Sequence, residues 1–292
     1  MVQKMAETAL IILNYNDADT TEKLISLVRG YKALTHIVVV DNRSTDDSYA
    51  RLKKYASEKV DVILAQANKG YATGNNYGAF YALKKYRPEY LLIANPDVEF
   101  SEAVVIKLVE ALEAKEKGAV AAPIVNQGYN IWSLPDYWGI IEALFLVWFN
   151  LDKRSQKKKL IAAGGVQPVG VVEGSFFCIK AEVFEQIGGL DERTFLYCEE
   201  NILAKRVNNI GMQVLALADE RYDHFHSQSI KKHYRSKAKA FHNFYPSFDL
   251  YLKEYLHIGV IAHGFYKLCF KLAYLERVLY DVAMKVKRRL GK

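Results

Sequence analysis

Many of the usual markers of function are missing from this chain of 292 residues. Its three cysteines, Cys178, Cys198 and Cys269, are odd in number and widely spaced. They form neither a disulfide framework nor a CxxC metal pair, which points to a reducing compartment. There is no GxxxxGK[ST] phosphate loop and no GxGxxG fingerprint, so nucleotide hydrolysis and dinucleotide binding lose support. RNA-recognition, zinc-finger and helix-turn-helix patterns are absent, which argues against nucleic acid as a partner. The most apolar stretch, residues 137–151, contains Glu142 and is shorter than the roughly 20 residues a spanning helix needs. The chain enters a strand-like run within a few residues of its start, leaving no room for a signal peptide. A cytoplasmic protein is therefore expected, soluble or peripheral at the inner face of the cell membrane.

The composition, 51% hydrophobic, is enough for one large core or one core plus an appendage. The net charge is +7, and the basic residues concentrate after residue 150: Lys153, Arg154, Lys157 to Lys159, Lys231, Lys232, Arg235, Lys237, Lys239 and the last eight positions. Such a balance suits an anionic membrane surface or a phosphorylated substrate.

Four apolar runs, at residues 8–13, 36–40, 60–65 and 91–94, alternate with stretches of helical character. That alternation predicts a mainly parallel sheet with right-handed crossovers. Each run closes on polar residues: Asn14-Tyr15-Asn16, Asp41-Asn42, Asn68-Lys69-Gly70 with Asn75 beyond it, and Asn95-Pro96-Asp97. The carboxyl ends of parallel strands share one edge, so these residues converge on one crevice. Taken alone, Asn95-Pro96-Asp97 is only a good turn. Further strands are expected at 169–172, 176–179 and 212–216, and a helix opened by Glu199-Glu200 should run to about Asn209.

The tail is different in kind. Leu268, Leu272, Leu275, Leu279, Val282 and Val286 recur at spacings of three and four, one stripe of a helix, with Lys267, Lys271, Lys285 and Arg288 on a neighbouring face. The stripe could pack on its own domain, pair with a second copy in a homodimer, or lie on an anionic membrane surface.

The crevice is expected to hold the carboxylates of Asp41, Asp97, Glu199 and Glu200 and a histidine pair, His224 and His226. Few carboxylates, one imidazole and open positions suit a hard divalent ion shared with the phosphates of a ligand. Such chemistry also needs a base for the nucleophile, and an Asp or Glu placed apart from the metal would serve.

Leu13-Asn14-Tyr15-Asn16, Val40-Asp41-Asn42-x-Ser44-x-Asp46, Asn68-x-Gly70-Tyr71-Ala72-x-Gly74-Asn75-Asn76, Asn95-Pro96-Asp97-Val98, Gly188-Gly189-Leu190-Asp191-Glu192 and Phe195-Leu196-Tyr197-x-Glu199 occur in this order. The set resembles family 2 glycosyltransferases, and within them the rhamnosyltransferase-like branch of bacterial polysaccharide biosynthesis, over roughly residues 8 to 230. The resemblance implies a single GT-A (Rossmann-like) catalytic domain at 1–230 and a helical extension at 231–292. It implies a nucleotide-diphosphate sugar as donor, dTDP- or UDP-linked. The donor pocket would be lined by Asn14, Tyr15, Asn16, Asp41, Asn42, Asn68, Gly70, Asn75, Asn95 and Asp97. Mg²⁺ or Mn²⁺ would sit on Asp97 and His224, with His226 as the competing position. The family usually reads Glu-Asp-x-Asp-Leu where this chain has Glu199-Glu200-Asn201-Ile202-Leu203. Glu200 then stands at the position of the base and Glu199 beside it as orienting partner, with the reverse assignment open. The reaction implied is inverting transfer to a hydroxyl of a glycan or polyprenyl-diphosphate-linked acceptor. The altered acidic run keeps a second reading open, a catalytically silent binding or assembly subunit. A nucleotidyltransferase is disfavoured because residues 10–19 lack a glycine-rich phosphate loop.

Overall fold

The computed structural model describes residues 6–225 and 237–290. His226, Lys231, Lys232 and Arg235 lie outside the described residues, as do the side chains of Lys285 and Arg288. The first half follows the expected alternation: β1 (Thr8–Asn14), α1 (Ala18–Val28), β2 (His36–Asp41), α2 (Ser48–Leu52), β3 (Val60–Leu64), α3 (Tyr71–Tyr86), β4 (Tyr90–Ala94), β5 (Val98–Glu99) and α4 (Glu102–Ala114). β6 (Gly118–Val125), β7 (Ile131–Trp132), α5 (Tyr137–Ala143), α6 (Leu146–Ala163), β8 (Val166–Val169), β9 (Val171–Val172) and β10 (Phe176–Lys180) follow. Then come α7 (Ala181–Gln186), α8 (Glu199–Asn209), β11 (Gln213–His224), α9 (Lys237–His242), α10 (Phe244–Leu250) and α11 (Val260–Leu290).

Among the described residues one nine-stranded sheet runs β3-β2-β1-β4-β10-β6-β11-β5, with β8 paired to β11. β1 is parallel to β2 and β4, and β2 to β3, as the alternation predicts. Beyond β4 the sheet turns mixed, because β10 inserts antiparallel between β4 and β6. A strand inserted antiparallel needs no crossover helix from its neighbour, which is why the regular alternation fails in the second half. Both faces of the parallel half are covered: Leu10 and Ile12 meet Leu24, Ile25 and Val105 on one side, and Ile11 joins Ala79 and Phe184 on the other. Each such fully buried aliphatic chain contributes roughly 1.5–3 kcal/mol.

A third core joins the C-terminal helices to the rest of the chain. Ile140 and Ile141 of α5, Leu144 just after it, and Cys198 and Ile202 at α8 pack with Phe241, Phe248, Tyr251, Tyr266, Phe270 and Ala273. The apolar stretch after residue 136 forms α5 and runs into α6, and α5 with the turn after it joins the two parts. On α11 the packed face carries Tyr266, Cys269, Phe270, Ala273 and Arg277, all buried. The stripe of Leu268, Leu272, Leu275, Leu279, Val282 and Val286 is on the opposite side, 49–61% exposed. It does not pack on its own domain. No helix among the described residues is long and apolar enough to cross a membrane.

Candidate active site

At the ends of β1 and β2, polar side chains bind one another. The Asn14 amide donates to Asp41 Oδ2 at 2.9 Å and to Ser44 Oγ at 3.2 Å, while the Ser44 amide donates to Asp41 Oδ1 at 2.8 Å. Thr21 donates to Asn14 Oδ1, and Asn16 exchanges bonds with Thr45. Asn14 and Asp41 are wholly buried, so as folded they hold the loop whose outer residues are Tyr15, Asn16 and Ser44. The adjacent loop is tied in the same way. Asn42 donates to Asn68 Oδ1 and to the Gly70 carbonyl, and Asn68 Oδ1 also accepts from the Gly70 amide. Gly70 has φ +101°, and a Cβ there would lie 2.2 Å from the Phe195 carbonyl oxygen, so only glycine fits. Asn75, also wholly buried, donates back to the Tyr71 carbonyl, a place inside α3 rather than on the crevice. Its neighbour Asn76 clasps Leu190 through both its amide nitrogen and its oxygen, joining α3 to the Gly-Gly-Leu-Asp-Glu segment.

The end of β4 leads to the acidic centre. The Asn95 amide donates to the Ser175 carbonyl, which fixes the turn on which Asp97 sits. The antiparallel pairing of β5 with the end of β11 then sets His224 opposite Val98. As a result His224 Nε2 lies 3.3 Å from Asp97 Oδ1, and its Nδ1 lies 3.6 Å from Glu173 Oε2. Burial alone would lower the His224 pKa, but its interactions with Asp97 and Glu173 outweigh it and push the value up to about 9. Burial opposes ionisation of Glu173, yet its contact with His224 holds it below the usual range.

Asp97 and His224 fit a divalent ion. One hard carboxylate oxygen and one imidazole nitrogen 3.3 Å apart match the spacing of adjacent ligands at about 2.0–2.1 Å from a shared ion. Two protein ligands leave positions for phosphate oxygens and water. The imidazole proton and such an ion would compete for the same place.

Next to this centre opens a cleft of about 490 Å³, lined by Trp132, Lys153, Glu173, Tyr197, Glu200 and Phe244 among others. Two successive non-glycine residues, Tyr197 at φ +74° and Cys198 at φ +71°, turn the chain into α8. Left-handed residues of this kind cost roughly 1–3 kcal/mol each, and they persist where the surroundings over-determine them. Here Tyr197 stacks on Phe244 at 3.8 Å between ring centroids. The turn brings Glu200 to the cleft, where its Oε1 accepts from the Gly174 amide at 3.1 Å. Tyr71 OH donates to the Gly174 carbonyl at 2.5 Å, so one residue joins Glu200, Tyr71 and Glu173. Glu199 is buried, 3% exposed, and its Oε1 has no protein partner. Burial raises the pKa of both carboxyls; the charge of Glu200 adds to the rise at Glu199 and that of Glu173 to the rise at Glu200.

A family model described as glycosyl transferase family 2 matches residues 9–188. The chain belongs to that family. It is 26% identical, over 98% of its own length and 93% of the other's, to a low-salt glycan biosynthesis hexosyltransferase of Haloferax volcanii. It is 23% identical, over 69% of its length and 70% of the relative's, to the N-acetylglucosaminyl-diphospho-decaprenol L-rhamnosyltransferase of Mycobacterium tuberculosis. Among solved structures it resembles a mannosyltransferase of Pyrobaculum calidifontis in complex with GDP-Man and Mn²⁺, with a TM-score of 0.56, 14% identity and coverage of 96% of this chain and 76% of that one. It also resembles GalNAc-T7 with UDP, GalNAc and Mn²⁺, with a TM-score of 0.57 and 16% identity over 76% of this chain; it spans only 44% of that enzyme's chain. These two likenesses establish the GT-A fold. The protein is accordingly a family 2 glycosyltransferase acting in glycan biosynthesis.

Several cleft residues escape sequence reasoning. Glu173 lies between two short strands with nothing periodic to mark it, and Trp132 and Lys153 come from β7 and α6, far apart in the chain. Their association, with Lys153 Nζ 4.1 Å from the Trp132 ring centroid, is produced by the fold alone. Only the Glu173-Gly174-Ser175 triplet carried a local signal, a charged residue beside a glycine in an apolar stretch.

Proposed function

We propose that this glycosyltransferase inverts the anomeric centre of a nucleotide-diphosphate sugar in a single displacement, with Glu200 as base. The observation that carries the reading is that Glu200 faces the cleft while Glu199 is buried behind it. Glu200 accepts the proton of an acceptor hydroxyl as that oxygen attacks the sugar, and Glu199 orients the start of α8. Asp97 and His224 would hold Mg²⁺ or Mn²⁺; when bound, the ion neutralises charge on the departing diphosphate. Tyr15, Asn16, Asn42, Asn68 and Asn95 line the donor side, held by Asn14, Asp41, Gly70 and Asn75. The Mn²⁺ and nucleotide ligands of the two solved relatives support metal use and a nucleotide-linked donor. The rhamnosyltransferase of Mycobacterium tuberculosis supports rhamnose as a candidate sugar and a polyprenyl-diphosphate-linked acceptor, while the dTDP-rhamnosyl transferase of Shigella flexneri and the UDP bound to GalNAc-T7 support a dTDP- or UDP-linked donor.

Such an acceptor sits in a membrane, and the exposed stripe of α11 supports a protein that lies on one. The stripe is apolar along its length and flanked by Lys267 and Lys271, both exposed, the pattern of a helix at an anionic interface. It continues into Phe265, 6.1 Å from the exposed Trp138 ring of α5, and α5 itself lines the cleft. We therefore read residues 1–230 as the catalytic part and 231–292 as its membrane-facing extension, peripheral at the inner face. A homodimer through the same stripe is the competing use. Thermal-shift measurements with UDP-, dTDP- and GDP-sugars, with and without Mn²⁺, test the donor. A single nucleotide class should stabilise the protein only with Mn²⁺, and metal-independent stabilisation by that nucleotide would count against the ion.

A further inference from the structure

Asp97 and His224 are expected of the family, but the side chain that orients His224 is not. On the reading that these two residues hold the ion, we propose that Glu173 is a positioning residue for His224. It accepts from Nδ1–H and thereby turns Nε2 toward Asp97.

The argument starts from the imidazole. A histidine ligand has two nitrogens, and the partner of one decides the tautomer and direction of the other. Here Nδ1 is 3.6 Å from Glu173 Oε2 and Nε2 is 3.3 Å from Asp97 Oδ1, so the ring spans two carboxylates. The Nδ1 separation is an ion-pair distance, longer than a hydrogen bond. The His224 side chain is only 8% exposed, which leaves little room for water to replace Glu173.

Glu173 is itself held in place. Ser175 Oγ donates to the same Oε2 at 3.1 Å. With its proton so used, Ser175 accepts from Tyr222 OH at 2.8 Å. Ser175 and Tyr222 are both almost fully buried, and Tyr222 precedes His224 by two residues on the same face of β11. The loop carrying Glu173 is thus anchored to the strand whose histidine it orients. A carboxylate suits the place because it accepts from Ser175 and His224 together.

Two measurements separate positioning from metal binding. In the metal-free protein, long-range ¹H–¹⁵N spectra should show the His224 Nδ1 proton engaged in a hydrogen bond. Glu173→Ala should remove that bond, and Glu173→Gln, whose Oε1 still accepts, should restore it. In calorimetric Mn²⁺ titration Glu173→Ala should weaken affinity by about 10- to 100-fold. Glu173→Gln should recover most of that loss, and Glu173→Ala should add nothing in a His224→Ala background. A bare Nδ1 in the wild-type protein, or additive effects in the double variant, would overturn the proposal. Failure of the wild-type protein to bind Mn²⁺ while Nδ1 stays bonded to Glu173 would instead overturn the metal reading and leave the positioning role supported.

Discussion

The two sides of the crevice manage their polar groups in opposite ways. The side chains of Asn14 and Asp41 are fully engaged: the Asn14 oxygen and amide and both Asp41 oxygens each meet a protein partner. Around Glu199 and Glu200, one carboxylate oxygen is buried without a protein partner and both pKa values are raised by burial. The first arrangement makes a rigid seat that a ligand can meet without reorganisation. The second stores an unfavourable state beside the cleft, which suits a group that must exchange a proton.

The contrast breaks most sharply at Glu200. Glu200→Gln should cost about 100- to 10,000-fold in sugar transfer while the melting temperature holds or rises, because it removes only a base. Unchanged transfer kinetics would move the base elsewhere, to Glu199 first. On the opposite wall Asp41→Ala should do the reverse, losing about 1–3 kcal/mol of stability in denaturant unfolding as Asn14 and the Ser44 amide lose their acceptor.

The pH dependence sharpens the difference. Glu199 and Glu200 have raised folded pKa values, so the native state binds more protons than the unfolded chain over the range above the usual carboxylate pKa. Stability should therefore fall as pH rises through that window, and Glu199→Gln should flatten the fall in thermal melts. Transfer should show the opposite sign: kcat/KM decreases as pH drops below the raised pKa of Glu200, since the base must be ionised.

The smallest effect on folding belongs to the exposed stripe. Leu272→Asp with Leu279→Asp should abolish co-sedimentation with anionic vesicles yet change stability little, because both side chains are more than half exposed. Retained sedimentation would remove the membrane role from the stripe, and a monomer produced from a dimer in ultracentrifugation would assign it to a second copy. Deleting the helix would be a poorer test, since Phe270 and Ala273 belong to the core.

Local pattern made much of this protein legible. Buried runs ending in Asn, Asp and Gly marked four parallel strands and the edge on which they converge, because a buried strand must be apolar and its end must turn. The three-four spacing in α11 marked a helix, and the acidic pair marked the start of another. Other features depended on neighbours remote in the chain. The antiparallel insertion of β10, the burial of Asn75, the pairing of Glu173 with His224 and the exposure of the α11 stripe follow from which surfaces meet. A carboxylate reads alike in sequence whether it ends in a cleft, as Glu200 does, or beneath it, as Glu199 does. Only the strained turn at Tyr197 and Cys198, held by packing against Phe244, decides which of the two lines the cleft.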